Sequence, residues 1–125
     1  LALFGESIEF KDSFSPKAEL VRSAQELISA NLERELDIAA IAEKLHVSRE
    51  HLTRVFHAQT GITPGAFATD ERMRVARRLL RDNTLTCKEI GERLGYVSAT
   101  SFARAFKNYH HCSPDSYKNR KGVEA

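Results

Sequence analysis

Two short runs of this chain match in spacing: Ser48, Arg49, Glu50, His51, Thr53 and Arg54 all carry hydrogen-bonding side chains, whereas Ser98, Ala99, Thr100, Ser101, Ala103 and Arg104 interleave such side chains with two alanines. An arginine fork donates to two acceptors at once, a carboxylate only accepts, and a hydroxyl does either. Such a set suits recognition of a patterned polar partner, and nothing around it supplies bond-making chemistry. The histidines fall on expected helix faces without a Ser/His/Asp constellation, and no glycine-rich phosphate loop occurs. His110-His111-Cys112 has metal-binding residue types, but neighbours on a helix point about 100° apart, whereas zinc ligands must converge. These read as surface histidines near a helix end. No catalytic residue, metal site or cofactor is expected.

Basic side chains concentrate elsewhere too. Arg72, Arg74, Arg77, Arg78 and Arg81 fall within one segment, and Lys118, Arg120 and Lys121 follow near the end. Because 19 basic residues stand against 17 acidic ones, the formal charge is only +2. Placement, more than total, therefore bears on a polyanionic partner. Some of the five arginines are expected to pair with Asp70, Glu71 and Asp82 instead.

The elements that position the two runs repeat. Ile41-Ala42-Glu43-Lys44-Leu45 through Phe56 returns as Ile90-Gly91-Glu92-Arg93-Leu94 through Phe106. Ser48/Ser98, Arg54/Arg104, Phe56/Phe106 and Pro64/Pro114 keep an offset of 50, while Ile41/Ile90 and Leu45/Leu94 are offset by 49. The second copy thus carries one extra residue in its turn.

Local signals predict an all-α fold of seven helices. Ser15-Pro16 is a hydroxyl cap followed by a proline that needs no N–H. Leu20, Ala24, Leu27, Ile28 and Leu32 then recur at helical spacing, giving a helix to about Asn31. Asp37 caps a short helix over Ile38 to Leu45, and Ser48 caps a longer one to about Gln59, before the stop at Gly61. Thr63-Pro64 opens a helix to about Arg81. Thr86 with Glu89 forms a capping box for Cys87 to Leu94, Gly95 breaks that helix, and Ser98 caps another to about Tyr109. Ser113-Pro114 begins a last turn or short helix containing Tyr117. Residues 1–14 alternate loosely at Ile8 and Phe10 and read as a linker or the remnant of an upstream domain. The chain begins at Leu1 without an initiator Met, so it is expected to be a piece of a longer protein.

Each copy is therefore a short helix and a longer one joined by very few residues, which forces a steep crossing. Ala42 and Gly91 are the small residues such a crossing needs. Leu45, Val47, Leu52 and Phe56 supply the apolar seam, matched by Leu94, Tyr96, Phe102 and Phe106. That leaves the two matched runs on the free face of each second helix. Helical solenoids usually show three or more copies; here two copies flank an Arg-rich helix. From Pro64 to Arg81 is 18 residues, about 27 Å of helix. With a helix pair at each end, two such faces could stand about 34 Å apart, one turn of a DNA duplex. A helical protein-interaction module is the alternative, distinguished by its lack of salt-sensitive duplex binding.

Leu36-x5-Ala42, Ser48-x3-Leu52-x-Arg54-x-Phe56, Gly61, Ile90-Gly91, Gly95-Tyr96, Ser98-x3-Phe102-x-Arg104-x-Phe106-Lys107 and Ser113-Pro114-x2-Tyr117 form one spaced pattern. It resembles the DNA-binding domain of the AraC/XylS family, over about Ser15 to Arg120. The resemblance implies a bacterial transcription regulator with helix–turn–helix subdomains at 15–62 and 83–121, a linker helix at 63–82 and a tail at 122–125. It also implies that the third and sixth helices read double-stranded DNA. Base contacts would then fall to Arg49, Glu50, Thr53, Arg54, Ala99, Thr100, Ala103 and Arg104. Phosphate contacts would fall to Ser48, His51, Ser98, Ser101 and Lys107. Contact with RNA polymerase, and an effector bound by a separate domain outside this chain, are further implications. One departure is expected to matter: the family usually has Gly where this chain has His111, and a left-handed backbone there suits His less well.

Arginine pairs with guanine and glutamate accepts from cytosine, whereas alanine offers a thymine methyl only a contact. The first unit is therefore expected to read bases more directly, and the second to lean on backbone contacts and DNA shape. Cys87 and Cys112 lack a C-x-x-C spacing and are expected to stay reduced, as in a bacterial cytoplasm. No apolar run approaches the roughly 18 residues that span a membrane.

Overall fold

Short-range capping sets the helix boundaries in a computed structural model that describes residues 15–124. The helices are α1 (Pro16–Ala30), α2 (Ile38–Lys44), α3 (Arg49–Thr60), α4 (Pro64–Asp82), α5 (Cys87–Arg93), α6 (Ala99–His110) and α7 (Pro114–Glu124). No strand occurs among the described residues. The Asp37 carboxylate accepts the Ala40 N–H at 3.1 Å, and Ser48 Oγ accepts that of His51 at 3.0 Å. Thr86 and Ser98 each close a reciprocal capping box, with Glu89 and Ser101 respectively. These bonds satisfy amide groups that a helix start would otherwise leave without partners.

The chain divides into two compact units. Among the described residues the first comprises 15–30 and 36–67 and the second 31–35 and 68–124; the stretch 1–14, read as a linker or remnant, lies outside the described residues. In the first unit α1, α2 and α3 pack on one another and bury Val21, Ala24 and Ile28 with Ala42, Leu52, Val55 and Phe56. Phe67, at the start of α4, meets the Phe56 ring edge-on with centroids 5.7 Å apart.

In the second unit Met73, Ala76 and Leu80 of α4 share a core with Ile90, Leu94, Phe102 and Phe106. Gly91 lies at the α5–α6 crossing, where an added Cβ would stand 3.0 Å from that of Phe102. The close approach expected from the sequence is thus present, and only hydrogen fits there without displacement. The last helix outruns the turn or short helix read from Ser113-Pro114, taking in residues 122–124 of the presumed tail. Pro114 presets its first turn, and Tyr117 packs on the Phe106 ring at 5.7 Å.

Residues 31–35 join the second unit through long-range contacts. Arg72 donates from Nε to the Leu32 carbonyl at 3.2 Å and from Nη2 to that of Arg34 at 2.7 Å. Gly95, at φ +86°, lies so close that a Cβ would fall 2.8 Å from the Glu33 carbonyl oxygen. This contact requires glycine, and the left-handed backbone favours it.

Candidate nucleic-acid interface

The turn that delivers each longer helix is built alike in both units. The amide of Val47 returns to the Ala42 carbonyl at 3.0 Å, and that of Tyr96 to the Gly91 carbonyl at 2.9 Å. His46 takes a left-handed φ of 60° and Gly95 one of 86°. The turns therefore match as Leu45-His46-Val47 and Leu94-Gly95-Tyr96, after which Ser48 caps directly whereas Val97 intervenes before Ser98. The extra residue of the second copy is Val97. Tyr96, at the place that Val47 holds in the first turn, packs on the core with its ring 5.5 Å from that of Phe102.

In the first unit, Leu52, Val55 and Phe56 anchor α3, leaving Arg49, Glu50 and Arg54 exposed and Thr53 half-buried. Arg49 and Glu50 approach to 3.7 Å as an exposed pair. The Arg54 guanidinium stands 3.2 Å from His51 Nδ1. A salt bridge inside the unit is the structural alternative for this arginine, but its contact here is to an imidazole. His51 is half-buried and, with Pro16, Lys17, Leu20, Leu45 and Val47, lines an open groove of about 490 Å³.

In the second unit, Phe102 and Phe106 anchor α6. Thr100, Arg104 and Lys107 are exposed, and Ala99 and Ala103 half-buried. Ser101 is engaged in the cap: its hydroxyl donates to the Ser98 carbonyl at 2.9 Å and accepts the Ser98 N–H at 3.1 Å. Its first task is thus to hold the helix start. The structure brings Arg49, Glu50, Thr53 and Arg54 together on α3, and Ala99, Thr100, Ala103 and Arg104 together on α6.

The arginines of α4 separate by role. Arg74 pairs with Glu71, Arg72 holds the two carbonyls of residues 31–35, and Arg78 and Arg81 are exposed. Asp70, expected to pair with an arginine, accepts the Tyr109 hydroxyl at 2.5 Å. That bond raises the Tyr109 pKa, with burial adding to it. His110 is half-buried, contrary to its reading as a surface histidine. Its ring lies 4.4 Å from that of Phe106, and burial, then the charges of Arg77 and His111, lower its pKa. His111 keeps the turn that glycine usually makes: φ is 64°, and its N–H reaches the Lys107 carbonyl at 2.7 Å. Gly61 ends α3 in the same way, with φ 83° and a 2.8 Å bond to the His57 carbonyl. No group of three or more potential metal ligands occurs among the described residues, and no helix there is long and apolar enough to cross a membrane.

A family described as a helix-turn-helix domain matches residues 41–120. An uncharacterized HTH-type transcriptional regulator of Haemophilus influenzae is 35% identical over 81 residues, covering 65% of this chain. The chain spans only 27% of that relative's length. Among solved structures, the C-terminal domain of AraT, a response regulator from Geobacillus stearothermophilus, superimposes with a TM-score of 0.79 at 33% identity, over 85% of this chain and 88% of that one. The DNA-binding domain of AdpA, a global transcriptional factor solved in complex with a target DNA, gives a TM-score of 0.73 at 26% identity, over 88% and 96%.

Proposed function

The chain belongs to the AraC-type helix–turn–helix family of DNA-binding transcription regulators, and from that premise we propose how it reads its site. It binds double-stranded DNA sequence-specifically and is not an enzyme. Helices α3 and α6 each enter a major groove, in two successive grooves of one asymmetric site. Arg49, Glu50, Thr53 and Arg54 address bases from α3, and Ala99, Thr100, Ala103 and Arg104 from α6. Ser48, His51, Ser98, Ser101 and Lys107 meet phosphates, aided by the amides at the two capped helix starts. Residues 15–62 and 83–121 serve as the two reading subdomains, with 63–82 as their link.

The observation that supports this best is the shared build of the two units. In each, a core-anchored helix presents its capped start and free face to solvent, as a recognition helix must. The faces differ chemically, so an inverted repeat is a poor match for one chain. In the whole protein, an effector would be bound by a domain outside this chain and RNA polymerase would be the protein partner, both in the bacterial cytoplasm at the nucleoid. Selection of duplexes from a random pool, followed by gel shifts with each half-site randomised in turn, tests the reading. Unequal dependence on the two halves is the expected result. Equal preference for inverted repeats would count against it, and binding insensitive to salt would remove the phosphate contacts.

A further inference from the structure

The exposed large hydrophobic side chains among the described residues are Val97, at 98%, and Tyr109, at 39%. Tyr109 is engaged through its hydroxyl with Asp70. A single exposed valine is ordinary on a protein surface, so its placement decides the matter. Val97 is the residue by which the second turn exceeds the first, and the packing duty at that turn belongs to Tyr96. It directly precedes the Ser98 cap, at the end of α6 that meets base edges when such a helix docks. Ala99, Thr100 and Ala103 continue the face with methyl groups, where α3 carries Arg49, Glu50, Thr53 and Arg54.

Resting on the DNA-binding reading above, we propose that Val97 is a specificity-determining residue that packs on the C5-methyl groups of thymines in the half-site read by α6. Ala99, Thr100 and Ala103 extend that contact. A methyl face offers no hydrogen bond to the polar edge of guanine or cytosine, but it buries apolar area against the one base carrying a major-groove methyl. The second half-site is thus selected for thymine, and shape readout there is joined by direct contact.

The test uses the chain as it stands and a duplex taken from random-pool selection. Each thymine is replaced in turn by deoxyuridine, which deletes the methyl and keeps the hydrogen-bonding edge. Loss of one buried methyl weakens binding about fourfold, and the sensitive thymines should cluster in one half of the site. Val97→Ala should make thymine and uracil duplexes bind alike at one of these positions at least, whereas Arg49→Ala should keep the difference. Because Val97 is exposed, its substitution leaves the core untouched, and the deoxyuridine arm changes no residue. Specific binding indifferent to uracil everywhere, penalties that persist undiminished in Val97→Ala, or a selected second half without thymine would each overturn the proposal while leaving the DNA-binding reading intact. Absence of any salt-dependent duplex binding would overturn both.

Discussion

Arg54 and Arg104 hold the same place in the two copies, yet Arg54 leans on His51 Nδ1 at 3.2 Å. An imidazole that shares this guanidinium restricts it without neutralising its charge. Arg54→Ala should therefore lower affinity for the duplex. If the contact is to phosphate, the slope of log affinity against log salt shrinks by about one; unchanged affinity and slope would take Arg54 off the interface. His111 holds a left-handed backbone without being glycine. His111→Gly should stabilise the fold by about 1 kcal/mol, the residual strain less the added freedom of the unfolded chain, as read from denaturant midpoints. A lower midpoint would mean the histidine side chain contributes more than its backbone costs. His110 sets a pH dependence of definite sign. Its folded pKa lies below the ordinary 6.5, chiefly through burial, so the unfolded chain takes up a proton that the folded chain resists. Stability is then full above about pH 6.5 and declines as pH falls through the folded value. His110→Phe keeps a ring against Phe106 and should flatten that decline in a melting series. An undiminished decline in the variant would assign it to another group.

At the scale of elements, most helix starts were legible because a cap is a bond between residues three apart. Ser48, Thr86 and Ser98 all make the bonds their residue types announce. Ser98→Ala removes the acceptor of the Ser101 amide at the start of α6 and should cost about 1 kcal/mol, measurable by thermal melting. A cost near zero would show that Ser101 and solvent suffice. The crossing of α5 and α6 is stricter. Gly91→Leu should cost about 1–3 kcal/mol by overpacking against Phe102, while Gly91→Ala sets a gain in helix propensity against a 3.0 Å approach. A leucine variant as stable as the parent would mean that the helices part freely. The length of α7 was not legible. Beyond Tyr117 the only large apolar residue of the helix is Val123, which forms no stripe, so periodicity had nothing to read.

For the molecule as a whole, the unlike faces of α3 and α6 lead to the expectation of an asymmetric site. Exchanging Glu50 and Thr53 for alanine should relax base preference in one half only, seen as a change confined to those positions in pool-selected sequences; a change in both halves would refute separate reading. Gly95→Ala should destabilise the second unit by about 2 kcal/mol or more, because it meets both a left-handed φ and the Glu33 carbonyl. The amino-acid order alone determined the repeat, the caps, the small residues at the crossings and which residues lie on the free faces of α3 and α6, since each depends on spacing within a few residues or on a duplicated pattern. Only the tertiary structure decided that Arg72 holds the carbonyls of Leu32 and Arg34, that Tyr109 claims Asp70, that His110 turns into the packing, and that Val97 is the residue left over in the second turn. The first two join residues 38 to 40 apart in the chain, and the burial of His110 depends on where Phe106 and Tyr117 come to rest. Such pairings are fixed by how helices pack, and helix packing leaves no local spacing from which they could be read.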